Sequence, residues 1–591
     1  MDAHFPQEIS AMWATPVYRQ SPIHSLPNEL LSYIFLLDSH PPPEPHDSVD
    51  SIGQEVTLFN SNSVKTPLKY SAVCRHWRNV AQGTAALWTN ICITLGSIDD
   101  TGPRQQKHLD LSHIISYLSL SRKYPLNILL DARDPDWDFA EPEYVFPSSL
   151  PAICEDPKIL DNRITELSNS SEYVPPFSAD DLRLIFSLLL PHLPRWRSLD
   201  VLTDTWAPMY TVLCILDRPL TKGAPLLESL TLMRCNDYIS HSPTFEPRSL
   251  KSPELFSSLE RLQPHHGRIF PLLRNLTLRG VHVAWSSLAL CNPPLTSLEL
   301  SSHSYDVLPT QSQFRNLLES CPKLRSLIIR SSGLATDHKD RSRKVDTHDL
   351  KRIANTKSVE LPLLEYIRIG YRSALEGCYI LQNIHAPNIR QLLLEDSTHP
   401  GDIDVVEADQ ILQLIAGLET SINPPQSALF PSAREITLKG VEARTDTFRN
   451  LFSSMPLVES LELVMMPKPI DVLRAMLPST VVPFPGSTKH VHKTSLSTCT
   501  ATSLEGPCLS CLPCPRLQKL RIRALNLSQA DLRFIGEDFL SGRSRTGAAK
   551  LNCVDVHLID DTDTTPADLE GICIFRDSLD DEDPEEHTSC Y

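Results

Sequence analysis

The chain has no apolar run long enough to cross a bilayer. Its longest, Leu184 to Leu190, is interrupted by Ser187 and stopped by Pro191, far short of the roughly 20 residues a spanning helix needs. The opening MDAHFPQEIS has no basic start followed by an apolar core, so no secretory leader is expected there. Glycine is scarce, 19 in 591 residues, and there is no phosphate-cradling glycine loop and no GxSxG nucleophile turn; HExxH is missing too. Nothing therefore points to catalysis or to a cofactor. Positive charge is in deficit as well, with 55 Lys and Arg against 72 Asp and Glu and a formal charge of -17. Such a chain is repelled by phosphate backbones, which argues against nucleic acid as its main partner.

What the chain has is enough apolar material to fold, 41% hydrophobic against 21% charged. Its 15 cysteines are odd in number and scattered, which favours reduced thiols and a cytoplasmic or nuclear setting. Proline is plentiful, 49 residues, and its placement is periodic. From about residue 180 one phrase returns: a proline, an apolar residue about two positions later, then L-x-x-L-x-L. It reads PRWRSLDV from Pro194, PLLESLTL from Pro225, PLLRNLTL from Pro271, PPLTSLEL from Pro293 and PKLRSLII from Pro322. It continues as PLLEYIRI from Pro362, PNIRQLLL from Pro387, PSAREITL from Pro431, PLVESLEL from Pro456 and PRLQKLRI from Pro515, with KLNCVDV from Lys550 as a weaker copy. Two longer stretches, QFRNLLESCPKLRSLII from Gln313 and TFRNLFSSMPLVESLEL from Thr447, align in register, as internal duplication would leave them.

Each phrase ends in alternating apolar residues, which predicts a strand, and segments such as DDLRLIFSLLL and FRNLLES carry helical spacing. No single unit of helix, turn and strand can bury its own apolar face, so stacking is required. The expected fold class is α/β: a small helical N-terminal part, then an irregular solenoid with parallel strands on a concave face and helices outside.

The N-terminal part begins at SLPNELLSYIFLL, a predicted helix with Pro27 in its first turn; Leu26, Leu30 and Ile34 share one side and Leu31 and Phe35 the adjacent one. In LKYSAVCRHWRNVAQG the residues Tyr70, Val73, Cys74, Trp77, Val80 and Ala81 keep helical spacing, and Gly83 is placed to end the helix. Leu87 and Trp88 lead into NICITL, where Ile91, Ile93 and Leu95 alternate as in a half-buried strand.

The LPxELL start, the later VCRHWR and the closing ALW resemble the F-box over about residues 21–95, in the divergent form common in fungal proteins, and the downstream phrases resemble leucine-rich repeats over about residues 180–560. The F-box resemblance implies a helical bundle that docks on the Skp adaptor of a cullin-RING ubiquitin ligase of SCF type, with Leu26, Pro27, Leu30, Ile34, Val73, Cys74 and Trp77 at the docking surface or supporting it. The chain departs from that family in a long polar segment from Asp38 to Thr66. The repeat resemblance implies a surface for a protein target whose degradation follows ubiquitination. The outward strand residues offered to that target are Thr231, Thr277, Glu299, Arg368, Thr437, Glu462 and Arg521, although a solvated strand position is the plainer reading for any one of them.

The implied division is a flexible N-terminus at 1–20, the F-box-like part at 21–95 with an insertion at 38–66, the repeat array with loop insertions at 96–560, and an acidic tail at 561–591. A basic stretch at 338–357 reads as a solvated insertion between repeats in preference to a nuclear signal or a ligand-facing loop. Cys499, Cys508, Cys511 and Cys514, with His490 and His492, have the donor types for zinc, but lack the paired spacing of a finger; Cys514 stands directly before Pro515 as Cys321 does before Pro322, so no metal is assigned. The leading expectation is a non-catalytic substrate receptor with the Skp adaptor, a cullin scaffold and a protein target as partners, and no membrane. The alternative is a repeat scaffold whose degenerate F-box no longer binds the adaptor.

Overall fold

The computed structural model describes residues 23, 26–39, 61–99, 108–134, 175–236, 240–252, 255–257, 269–290, 292–335, 358–398, 408–418, 427–477, 512–524, 527–545, 548–558 and 570–576. The chain divides into two units, one of residues 1–92 and 111–128 and one of residues 93–110 and 129–591. The basic stretch at 338–357 and the loop carrying Cys499, Cys508, Cys511, His490 and His492 lie outside the described residues.

The first unit holds helices α1 (Asn28–Ser39), α2 (Thr66–Val73), α3 (Arg75–Gly83) and α4 (Ser112–Leu120). Spacing alone predicts one helix through VCRHWR, and the structure breaks it at Cys74. That residue is extended (φ -158, ψ 171), and its thiol accepts the Trp77 backbone N–H at 3.4 Å, so it caps a new helix and satisfies a donor the helix start leaves orphaned. Pro67 sits in the first turn of α2, where its missing N–H costs nothing. Leu31 and Phe35 carry the buried side of α1. Phe35 stacks on Tyr70 at 4.1 Å between centroids and meets Trp77 at 5.0 Å. Deeper in, Trp88 donates from Nε1 to the Ala81 carbonyl at 2.8 Å and faces the edge of Tyr117.

The first strands are β1 (Asn90–Ile93), β2 (Ile98–Asp99), β3 (His108–Leu109) and β4 (Leu126–Ala132). β1 stops short of Leu95 because Ser97 N–H closes a turn onto the Thr94 carbonyl at 2.8 Å.

The second unit is dominated by a parallel ladder of β5 (Trp196–Thr203), β6 (Ser229–Arg234), β7 (Asn275–Arg279), β8 (Ser297–Ser301) and β9 (Ser326–Arg330). After a short outlying strand β10 (Val359–Glu360), it continues as β11 (Tyr366–Tyr371), skips β12 (Ile384–His385), which pairs with β10, and goes on through β13 (Gln391–Asp396), β14 (Glu435–Lys439), β15 (Ser460–Val464), β16 (Lys519–Ala524) and β17 (Cys553–Leu558). Every proline-led phrase, and the weaker copy from Lys550, thus supplies one strand, and consecutive phrases supply neighbouring strands. This is the helix-and-parallel-strand solenoid expected of leucine-rich repeats.

The phrase has a physical explanation. Its proline sits second in a tight turn: in the copies from Pro225, Pro322, Pro362, Pro431 and Pro515 the N–H two residues after the proline donates to the carbonyl just before it at 3.2 Å, and proline's fixed φ suits that position. The residue two after the proline then points inward: Leu227, Leu273, Leu295, Leu324, Leu364, Ile389, Ala433, Val458 and Leu517 are all buried. In the strands that follow, Leu199, Leu230, Leu276, Leu298, Leu327, Ile367, Leu392, Ile436, Leu461, Leu520 and Val554 form one unbroken register row. A second buried row runs two residues later. Alternation puts the residues between and beyond these rows on the opposite face.

Helices begin where side chains can cap them. Ser178 and Asp181, Thr310 and Gln313, and Ser528 and Asp531 form reciprocal capping boxes. Several strands end in a left-handed residue, Gly280, Ser302, Ser331, Gly440 and Met465, each still bonded through its N–H to the next strand before the chain bends away. Beyond those ends, buried Arg372 ties three loops together. It donates to the carbonyls of Ser240 and His303 and pairs with Glu376 at 2.5 Å, and Glu376 accepts the Gly333 N–H at 3.1 Å. A Cβ at Gly333 would lie 2.5 Å from Glu376 Cγ, so glycine is required for that approach.

The segment expected as an acidic tail from 561 includes one more strand, β18 (Glu570–Arg576), antiparallel to β17. The run GICIF at 571–575 supplies the β-branched and aromatic residues for it, a signal that the acidic composition around it obscured.

Candidate functional site

Two surfaces carry the candidate residues, one in each unit. In the first, α1 buries Leu31 and Phe35 and leaves Leu30 and Ile34 uncovered, 52% and 44% exposed. Pro27 is exposed, Leu26 is half-buried, and Val73 at the end of α2 is 59% exposed. Cys74 and Trp77 have a different position: the first is the cap of α3 and the second is half-buried against Phe35 and Tyr70. Leu30, Ile34 and Val73 are thus exposed, whereas Cys74 and Trp77 pack within the helices that carry them. Sequence reading passed over Tyr33, Leu37 and Leu68, which are equally exposed. Tyr33 and Leu37 stand three and seven residues after Leu30, the spacing of one helix face, and could have been found from it. Exposed aromatic and aliphatic side chains at this density favour burial against another protein.

Burial raises the Tyr70 hydroxyl above the usual tyrosine range, helped by its hydrogen bond to Asp38. That bond ties α2 to the end of α1, and Thr84 Oγ1 donates to Ser32 Oγ at 2.9 Å from the other side.

In the second unit, the residues put forward for target contact fall in a single register row. Asp200, Thr231, Thr277, Glu299, Ile328, Arg368, Leu393, Thr437, Glu462, Arg521 and Asp555 stand side by side on β5 through β17, and all seven candidates are among them. They are not simply solvated. Apart from buried Glu462, the seven are half-buried; Glu299 accepts Ser301 Oγ–H at 2.7 Å, Arg521 faces Asp555 at 3.7 Å and Glu462 pairs with Arg523 at 3.1 Å.

The strongest charge cluster was missed from the sequence. Two residues further along the strands a parallel row holds Arg279, Ser301, Arg330, Gly370, Glu395 and Lys439. Here the buried Glu395 carboxylate meets Arg368 at 2.7 Å, Lys439 at 2.8 Å and Arg330 at 3.5 Å. Burial alone would push its pKa up; the three cations outweigh that and hold it down at about 2. Glu395 sits two positions after Leu393, so period-two alternation would have placed it on this face had the row been followed past one residue per strand.

Cys514 is buried, its sulfur 3.6 Å from the Phe452 carbonyl oxygen and 3.9 Å from that of Met455. It is the residue before the proline in the turn of its phrase, and its place is a packing place. Among the described residues there is no group of three or more His, Cys, Asp or Glu arranged to hold a metal ion, and no helix is long and apolar enough to cross a membrane.

Residues 23–94 match the F-box-like family model. No curated protein sequence matches the chain. Among solved structures the chain is similar to the leucine-rich repeat-containing protein LegL7 from Legionella pneumophila, at 16% identity and TM-score 0.28 over 58% of this chain and 87% of that one. It is also similar to TLR13 in a complex with ssRNA13, at 12% identity and TM-score 0.18 over 65% and 55%. Likenesses this distant bear no weight; the fold assignment rests on the register rows described above.

Proposed function

We propose that this chain is a non-catalytic substrate receptor of an SCF-type ubiquitin ligase. The F-box-like part docks on the Skp adaptor and through it on the cullin, and the solenoid holds a protein target for ubiquitination and degradation. One observation carries this reading: the F-box-like match falls on helices whose outer side leaves Leu30, Tyr33, Ile34 and Leu37 uncovered while Phe35, Tyr70 and Trp77 lock the inner side. Leu26, Pro27, Leu30, Ile34 and Val73 make the contact, with Cys74 and Trp77 beneath them. The target lies along the row from Thr231 to Arg521. The protein works in the cytoplasm or nucleus, where the ligase machinery resides.

The second reading, a repeat scaffold without adaptor binding, draws support from the length of chain between Ser39 and Ser61, which separates α1 from α2. One experiment divides the two. Tagged full-length protein is co-purified with Skp adaptor and cullin beside a variant carrying Leu26→Ala, Pro27→Ala and Leu30→Ala. Capture by the parent and loss in the variant supports the receptor; a folded parent that captures neither leaves the scaffold.

A further inference from the structure

We infer that the outward face of strands β7 to β14 binds an extended, Asp- and Glu-rich segment of the target protein. The inference rests on reading this face as the target surface and names the chemistry it selects.

Charge is the first ground. In the three outward rows across these six strands stand four cations, Arg279, Arg330, Arg368 and Lys439, against three carboxylates, Glu299, Glu395 and Glu435. The chain as a whole carries -17, so this is a positive island in a negative molecule. The local excess of cations attracts an acidic segment here against the repulsion of the chain as a whole.

Spacing is the second ground, and it separates carboxylates from phosphate. Neighbouring strands lie about 4.8 Å apart, so Arg279 on β7 and Lys439 on β14 are about 24 Å apart across five steps, with Arg330 and Arg368 between them. An extended peptide of about seven residues covers that distance. The cations converge on one point only, and Glu395 already occupies it, with its carboxylate on Arg368, Lys439 and Arg330. A single phosphate would need an unfilled convergence point; a string of monovalent carboxylates matches cations distributed along a line. Ile328, half-buried in the same row as Arg368, adds apolar contact between the charges.

The test uses full-length protein and fluorescein-labelled peptides in fluorescence anisotropy at low and physiological salt. The probes are a heptaglutamate, a heptalysine, and a neutral heptapeptide with one central phosphoserine. The expected result is binding of heptaglutamate alone, weakened by salt, and lowered roughly tenfold or more by Arg279→Glu with Lys439→Glu. Arg183→Glu, on the helix that Ser178 caps and away from this face, should leave it unchanged. Glu395→Gln, which removes the internal competitor, should tighten it several-fold. Failure of heptaglutamate to bind, equal binding by the double variant, or tighter binding of the phosphopeptide overturns the inference. Each variant is also carried through adaptor co-purification with recovered targets. Targets still held by the Arg279→Glu, Lys439→Glu variant would sink the acidic segment and leave the receptor reading standing, whereas loss of adaptor capture by the parent would sink the receptor reading by itself.

Discussion

Arg330 reaches Glu395 over the top of Gly370. The three stand in one register line on β9, β11 and β13, so the ion pair spans two strand intervals and crosses the one residue on the middle strand that has no side chain. A Cβ at position 370 would lie 2.6 Å from Ser397 Oγ and 2.9 Å from Arg330 Cγ. Gly370→Ala should therefore displace Arg330 and destabilise the protein by about 1–3 kcal/mol, the usual effect of overpacking. Urea unfolding of parent and variant measures it; an unchanged midpoint would show that Arg330 moves aside freely.

Glu395 makes stability depend on acid. Its carboxyl is held at about 2 in the fold against an ordinary 4.5. A depressed folded pKa contributes stability that is full above the unfolded value and is lost as pH falls from about 4.5 toward 2. At neutral pH that contribution is about 3 kcal/mol by the size of the shift. Glu395→Gln should be less stable than the parent at pH 7, with the gap closing over that acid range. A gap constant with pH would show that the carboxylate charge is not what the cations hold.

Contact and support in the first unit are separable. Leu30→Asp and Ile34→Asp alter exposed positions and should change stability by no more than about 0.5 kcal/mol while abolishing adaptor capture. Trp77→Ala, which removes the ring packed on Phe35 and Tyr70, should cost about 3 kcal/mol or more. Thermal melts beside pull-downs read both effects; a large stability loss from Leu30→Asp would mean that this side is covered by the chain itself.

The Arg372 and Glu376 pair should behave as a buried ion pair. Burial pushes the Glu376 carboxyl up, but Arg372 overrides it and holds it below the ordinary range. Removing only the cation in Arg372→Met leaves an uncompensated buried charge and should cost about 3–5 kcal/mol. Adding Glu376→Leu should recover part of that loss, so the double variant melts above the single one.

Cys514 should be inert. Burial raises its thiol to about 12, against a lesser lowering by Arg543, and only the thiolate reacts. Iodoacetamide at pH 8 should leave it unmodified in the native protein and label it in urea, with peptide mass spectrometry as the readout. Rapid native labelling would place Cys514 at the surface and reopen a role for it in metal binding.

Much of this was legible in the sequence because leucine-rich phrases state their own geometry. Proline marks the turn, and apolar residues two, five and seven positions on are the buried ones, so strand identity, order and the outward row at Thr231, Thr277 and Arg368 follow from spacing. The break at Cys74 was not legible, because VCRHWR keeps helical spacing through a residue that acts as a cap, and a thiol is a weak capping signal. The Glu395 cluster was hidden for another reason: its members come from four phrases far apart in sequence, and only the register brings them together. The loop ties of Arg372 were likewise beyond reach, since Ser240, His303 and Gly333 belong to different connections.

The register rows stay in step although the phrases are unevenly spaced: the interval from Leu461 to Leu520 is more than twice that from Leu276 to Leu298. All variation in length is taken up by the connections. Outward positions without a buried ion pair or a close backbone approach, Thr231 and Thr277 for instance, can therefore be edited like movable type, and any connection can separately lengthen without resetting the line. Under the receptor reading, new specificities would be reached by substitution at those positions alone.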